Sequence, residues 1–336
     1  MNADALLEVD GLKVHFNLPR PHPFAERAVV HAVDGVSFNI RRGTTFGIVG
    51  ESGSGKSTTA LAVMRLVDIT GGQIRLGETE LSDLKGHQLR EARRRVQIIF
   101  QDPYSSLNPR TRAGDIVREP MDLMHVGKPS ERAARVGELF AQVGLRPEQQ
   151  NLFPHQFSGG QRQRIGVARA LATTPELVVC DEPVSALDVA IQAQILNLLQ
   201  DLQNELGLTY LFISHDLGVV QYICDEVAVM YLGLIVEQAD RISLFKQPLH
   251  PYTWALLSAV PSARARSATE RSQRIRLKGD PPSPINPPSG CRFAGRCPFA
   301  SPRCNTDPPP LREILPGHSV ACHKVTDDGR GPHHQL

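Results

Sequence analysis

The chain has 336 residues, 41% of them hydrophobic, enough for one large domain with an appendage. Lys and Arg number 37 against 35 Asp and Glu, a balance that points away from a nucleic acid or other polyanion as principal partner. No stretch approaches the roughly 20 apolar residues that span a bilayer. The opening MNADALLEVDG lacks the basic-then-apolar order of a signal peptide, so a cytoplasmic location is expected. The six cysteines are then expected to be reduced or to serve as ligands.

LLEVDGLKVHF (6–16) alternates apolar and polar residues and predicts an edge-type strand. Pro19, Pro21 and Pro23 predict a loop over 17–31. VDGVSFNI (33–40) predicts a second strand, with a turn at Arg42-Gly43. TTFGIVG (44–50) is a short apolar run ending in glycine, and a helix is predicted from Ser57 to Val67. The basic run Arg93-Arg94-Arg95 reads as a solvated helix face. RVQIIF (95–100) predicts a strand stopped by Gln101-Asp102-Pro103. Residues 110–172 read as mainly helical, broken at Pro120, Pro129, Pro147 and Pro154.

LVVC (177–180) is a run of buried-strand type. A helix over 188–206 places Ile191, Ile195, Leu198, Leu199 and Leu202 on one face, and TYLFI (209–213) predicts a further strand. VAVMYLGLIVEQ (227–238) predicts a hairpin turning at Gly233. From Pro248 the chain becomes rich in proline and arginine and its periodicity fades, so a boundary is expected near residue 246.

Three segments carry phosphate chemistry. Gly50-Glu51-Ser52-Gly53-Ser54-Gly55-Lys56-Ser57-Thr58 has the G-x-x-x-x-G-K-[ST] pattern between a predicted strand and a predicted helix. Its glycines let backbone N–H groups curl around phosphate oxygens. Lys56 supplies charge to the β- and γ-phosphates, and the Ser57 hydroxyl is a Mg²⁺ ligand. The helix start adds the positive end of its dipole. Second, the apolar run 177–180 ends in Asp181-Glu182, two acids at the carboxyl end of a strand. Asp181 is expected in the Mg²⁺ shell, and Glu182 as the group that polarises the attacking water. Third, Phe157-Ser158-Gly159-Gly160-Gln161-Arg162-Gln163-Arg164 leads into a helix, placing a hydroxyl and N–H groups at its start. Alone, this is also what an ordinary N-cap looks like.

Together these segments resemble the ATP-binding-cassette ATPase family over residues 6–245. The resemblance implies an α/β P-loop fold with a parallel core sheet, an antiparallel β subdomain and a helical subdomain at about 105–170. It also implies that two cassettes stack head to tail, with Ser158, Gly159, Gly160 and Gln161 closing on the γ-phosphate held by the partner's loop. Phe157 stands where leucine is commoner, an apolar exchange. By the same resemblance Gln101 joins the Mg²⁺ and water shell, and Ser185-Ala186-Leu187-Asp188 forms the loop that communicates between cassettes. His215 matches the switch histidine that contacts the γ-phosphate, and Phe16 aligns with the aromatic that stacks on adenine, with Phe24 in the adjacent loop. ATP and Mg²⁺ are the implied ligands.

RRRVQIIFQDPYSSLNPRTR (93–112), LHPYTWALLSAVP (249–261) and Pro287-Pro288-Ser289-Gly290-Cys291 resemble the F-type cassette of bacterial oligopeptide and dipeptide importers. That resemblance implies a heterodimer with a related cassette, two permease subunits, an external peptide-binding protein, and a peripheral position on the cytoplasmic face of the membrane. Pro103 and Pro109 stiffen the 101–109 loop, a candidate to grip a permease helix. Related importers carry nickel, glutathione or opines. The other classes are a soluble non-transport ATPase of the same family and a redox-responsive interaction module.

Cys291, Cys297, Cys304 and Cys322 are spaced C-x5-C-x6-C-x17-C, with Arg292, Arg296 and Arg303 available to offset thiolate charge. The short CxxC knuckles of many zinc sites are absent. The looser spacing is compatible with a [4Fe–4S] cluster, with zinc or no metal as alternatives. The resemblance favours the cluster. Cys180 and Cys224 lie on apolar elements and are expected in the core. The expected division is therefore a cassette over 1–245 and a cysteine-bearing extension over 246–336.

Overall fold

The computed structural model describes residues 4–20, 22, 24, 27–259, 277 and 279–332. Pro21 and Pro23 of the expected loop, and Val260 and Pro261 of the 249–261 segment, lie outside the described residues. The chain divides into two compact units, one within Met1–Glu8, Asn39–Thr45 and Arg75–Ile213, the other within Val9–Phe38, Phe46–Ile74 and Ser214–Leu336.

Strands β1 (Ala5–Asn17), β2 (Val29–Arg41) and β4 (Gly71–Leu76) run through both units and, with β5 (Thr79–Glu80), form a sheet in the order β2-β1-β4-β5. The β4–β5 pair is antiparallel. β1 is thus an interior strand, not the edge expected from its alternation. Alternation reports that one face is wetter than the other, and says nothing of the neighbours on either side.

In the first unit, β6 (Val96–Ile99), β7 (Leu177–Asp181) and β8 (Thr209–Ser214) run parallel with β7 in the middle. Covered on both faces, they read as unbroken apolar runs, and Leu177, Val178, Val179 and Cys180 are all buried. Helix α2 (Gly86–Arg94) precedes β6, and the helices α3 (Ala113–Leu123), α4 (Arg132–Gln142) and α5 (Gly159–Leu171) pack on one another. Pro147 and Pro154 do start short 3₁₀ turns, where a missing N–H costs nothing. Pro120 does not break α3. It lies inside the helix, whose last turn still closes with Met124 N donating to the Pro120 carbonyl at 3.0 Å. Helix α6 (Val189–Leu206) buries Ile195, Leu196, Leu199 and Leu202.

In the second unit, β3 (Thr45–Val49) continues parallel to β9 (Glu226–Tyr231). Helix α1 (Lys56–Val63) follows β3 and is shorter than predicted, ending where Arg65 turns to φ 55°. Strand β10 (Leu234–Asp240) returns antiparallel to β9 through Leu232 (φ 45°) and Gly233 (φ 81°), the paired positive φ of a type I′ hairpin. Helix α7 (Leu217–Ile223) precedes β9, and helix α8 (Arg241–Lys246) packs against the pair. The tail is more regular than its composition suggests. It supplies helix α9 (Pro251–Ala259), the short helix α10 (Pro302–Thr306), and two strands, β11 (Arg312–Leu315) and β12 (His318–Val320). β12 pairs antiparallel with β10, and β11 with β12, around Pro316-Gly317. Among the described residues no helix is long and apolar enough to cross a membrane.

Candidate functional site

The phosphate-loop residues follow directly on β3. A Cβ on Gly50 (φ 157°) would lie 2.2 Å from the Met230 carbonyl oxygen, and one on Gly55 (φ 104°) 2.2 Å from that of Ala32. Glycine is therefore required at both by close backbone approach. Ser54 N donates to the Glu51 carbonyl at 3.2 Å, and Gly233 N to the Ser54 carbonyl at 2.8 Å, so the hairpin turn backs the loop. Lys56 opens α1 and is 5% exposed. Its ammonium donates to the carbonyls of Gly50 and Glu51 at 2.9 Å each, wrapping the loop around a positive charge. Ser57 and Thr58 follow in the first helical turn. Phe16 stands on β1, 42% exposed, while Phe24 is 96% exposed. His215 lies exposed just after β8, and the next residue, Asp216, caps α7 by accepting from Gly218 N at 2.7 Å.

The first unit brings Gln101 and Glu182 together. Gln101 Nε2 donates to Glu182 Oε2 at 3.1 Å, across 81 residues of sequence. Asp181 ends β7, and Glu182 takes φ 47°, an uncommon value for a residue with a Cβ. Glu182 N donates to the Ile213 carbonyl at 3.0 Å, and the Ser185 hydroxyl to the Glu182 carbonyl at 3.1 Å, which hold that backbone turn.

Ser158 is the N-cap of α5 in a full capping box. Its hydroxyl accepts from Gln161 N at 3.3 Å, and the Gln161 side chain accepts from Ser158 N at 3.0 Å. A Cβ on Gly160 would lie 2.6 Å from Ile191 Cγ2, so this glycine lets α5 close on α6. Phe157 is buried, as expected of an apolar exchange. Asp188 caps α6 by accepting from Ile191 N at 3.0 Å. Sequence reasoning did not single out Tyr104, which is 60% exposed with the Arg162 guanidinium 4.1 Å over its ring.

The four tail cysteines form one electrostatic group. Burial pushes the Cys297 thiol up to about 12, with Cys322, Cys291 and Cys304 adding to it. Burial likewise takes Cys322 to about 11, with Cys291 and Cys304 contributing, and raises Cys291. Burial also acts on Cys304, but hydrogen bonds from Ser301 and the nearby Lys324 outweigh it and bring this thiol down. Cys291 N donates to the Cys304 carbonyl at 2.8 Å. Four thiols that repel one another as thiolates fit a cationic centre, whose charge removes that penalty. They are not gathered within 4.8 Å of one another; among the described residues His15, His31 and Asp34 are. There Arg292 already supplies positive charge to Asp34, whose carboxyl is held low by His15 and Arg292 against the opposing effect of burial.

The tail arginines do not face the thiols as expected. Arg292 pairs with Asp34 and also donates to the Leu232 carbonyl at 2.5 Å. Arg296 pairs with Glu51, and Arg303 with Asp307 at 2.9 Å. Each guanidinium group has a carboxylate partner, and Arg296 alone engages both oxygens of its own. Cys180 and Cys224 are both buried in the core.

The second unit thus holds a glycine-framed loop with an enclosed lysine, and the first a Gln–Glu pair just beyond a strand of its parallel sheet. A family profile described as ABC transporter matches residues 33–185, and another described as oligopeptide/dipeptide transporter, C-terminal region, matches residues 236–304. The chain belongs to the ABC transporter ATP-binding family and is an ATPase of that type. It is 51% identical over 325 residues to the oligopeptide transport ATP-binding protein AppF of Bacillus subtilis (strain 168), covering 96% of this chain and 98% of that protein. It is equally 51% identical, over 322 residues, to a putative peptide import ATP-binding protein of Brucella ovis, covering 96% and 98%. Among solved structures, the ATP-binding cassette MJ0796 in a dimeric post-hydrolysis state with ADP and Pi matches with a TM-score of 0.62 and 28% identity, over 70% of this chain and 98% of that one. CbiO1 of Clostridium perfringens, part of the ABC transporter complex CbiONQ, matches with a TM-score of 0.62 and 27% identity, over 72% and 91%.

Proposed function

We propose that this chain is the ATP-hydrolysing subunit of a peptide importer, a cassette of residues 1–245 with an extension of residues 246–336. The observation that carries the reading is the enclosed Lys56 on a glycine loop whose conformation no other residue type can take at Gly50 and Gly55. Gly50 to Thr58 hold the triphosphate through backbone N–H groups and Lys56. Ser57, Asp181 and Gln101 hold Mg²⁺, whose role is to neutralise charge developing on the phosphates. Glu182 takes the proton of the attacking water, and its hydrogen bond from Gln101 fixes where that carboxylate points. His215 contacts the γ-phosphate, and Phe16 stacks on adenine.

The capping box at Ser158 leaves Gly159 and Gly160 N–H groups at a helix start, the chemistry that receives a phosphate from outside. The second ATP-binding subunit is a related cassette, joined through Asp188 and this turn, and two permease subunits complete the membrane part. An external peptide-binding protein delivers cargo. The chain sits at the cytoplasmic face of the membrane, bound through the permeases. The four tail cysteines hold a [4Fe–4S] cluster, a reading supported by four buried or half-buried thiols that act on one another electrostatically. Such a centre, when bound, supplies the positive charge that the buried thiolates require.

The test is uptake into proteoliposomes containing this chain, its partner cassette, the permeases and the binding protein. ATP-dependent entry of labelled di- or oligopeptides, lost on Glu182→Gln, is the expected result. Uptake of nickel, glutathione or an opine with no peptide entry would replace the cargo assignment, and ATP hydrolysis uncoupled from any uptake would overturn transport.

A further inference from the structure

Glu51 is an acid inside a loop that binds a triphosphate. A free carboxylate there repels the ligand, because like charges a few ångströms apart oppose each other strongly outside bulk water. The structure gives this acid a partner 245 residues away: Arg296 donates to Glu51 Oε2 at 2.7 Å and to Oε1 at 3.2 Å, a two-pronged pair. The Arg296 side chain is 9% exposed and its guanidinium lies 5.9 Å from the centre of the Tyr231 ring. Tyr231, Tyr252 and Phe293 pack against one another at 4.7–5.4 Å between centres, so the arginine rests against a rigid aromatic base. The same base holds the backbone. Glu51 N donates to the Tyr252 hydroxyl at 2.9 Å, which fixes that peptide plane. Tyr252 is itself placed by Glu237, which is fully buried and accepts from Leu249 N at 2.6 Å and His250 N at 2.9 Å where α9 begins.

We propose that Arg296 and Tyr252 are positioning residues for ATP: the cysteine-bearing extension clamps this chain's own phosphate loop and neutralises the acid within it. This rests on the reading of residues 50–58 as the phosphate site. Two consequences follow from the geometry. The clamp lowers the ordering cost of a loop rich in glycine, and so tightens ATP binding. It also cancels the Glu51 charge, so removing Arg296 alone is worse than removing both partners. Arg296 adjoins Cys297, which ties the clamp to the thiol group.

The test is MgATP affinity of the full-length chain, measured with a fluorescent ATP analogue, with melting temperature in the absence of nucleotide as the fold control. Arg296→Met weakens binding about tenfold, the loss of one charge-assisted interaction. Adding Glu51→Gln to Arg296→Met returns affinity to within about threefold of the parent, an effect that simple damage to packing would not produce. Tyr252→Phe weakens binding in the same direction, by less. If Arg296→Met melts early, Arg296→Gln is measured instead with the same expectation. Unchanged affinity in Arg296→Met, with Lys56→Ala still weakening binding, overturns the clamp and leaves the phosphate site standing. A double variant no better than Arg296→Met also overturns it. Undiminished binding in Lys56→Ala removes the phosphate-site reading and the clamp together.

Discussion

Gln101 donates a 3.1 Å hydrogen bond to the Glu182 carboxylate, and Glu182 itself sits at φ 47° immediately after the buried strand β7. That amide fixes where the carboxylate points. Glu182→Gln therefore keeps the shape and removes the base. Steady-state hydrolysis falls by roughly 10²–10⁴-fold, the range of general-base catalysis, while ATP still binds. Equal turnover in variant and parent would remove Glu182 from that role.

Lys56 donates to two loop carbonyls and is nearly enclosed. Lys56→Ala deletes the loop's charge and its internal ties. MgATP affinity falls by about 10- to 100-fold, in line with about 1.5–3 kcal/mol for a charged hydrogen bond. Isothermal titration of the full-length chain reads the change directly.

Gly160 faces Ile191 with no space for a side chain, a Cβ falling 2.6 Å from Cγ2. Gly160→Ala costs about 1–3 kcal/mol of stability through overpacking. The melting temperature drops by a few degrees. Gly137→Ala, where no atom lies within 4 Å of the added Cβ, leaves it unchanged or slightly raised and is the control.

The Asp34 carboxyl is held below the usual carboxylate range by His15 and Arg292, which together outweigh its burial. A depressed folded-state value means the unfolded chain binds the proton more tightly. Stability from Asp34 is then present above the ordinary carboxylate value and is lost as pH falls through the lower, folded value. Asp34→Asn should cost about 1–3 kcal/mol at neutral pH. Denaturant unfolding should show that difference shrinking towards acid pH.

The candidate chemistry is legible in sequence because the motifs that suggest it depend on local spacing. The phosphate loop, Asp181-Glu182, and Ser158 to Gln161 each lie within ten residues, on elements whose start or end the apolar runs mark. What was missed depends on separation. Nothing near Arg296 foretold Glu51, and proximity in sequence to Cys297 suggested a thiol partner instead. β5 is two residues long and β4 begins Gly-Gly, so neither offers a period to read. Pro120 looked like a stop because a proline ends most helices, yet α3 has only three residues after it. β11 and β12 hide in a proline-rich tail because β10 offers them an edge, a cause outside their own composition.

The central claim is that the 158–161 turn of this chain completes a partner's ATP site. It is tested most directly by sedimentation of the Glu182→Gln chain with the Glu→Gln form of its related cassette, with and without ATP. The account predicts one-to-one association only with ATP, abolished by Ser158→Arg although that variant still binds ATP in its own loop. Undiminished ATP-driven association of Ser158→Arg would contradict it.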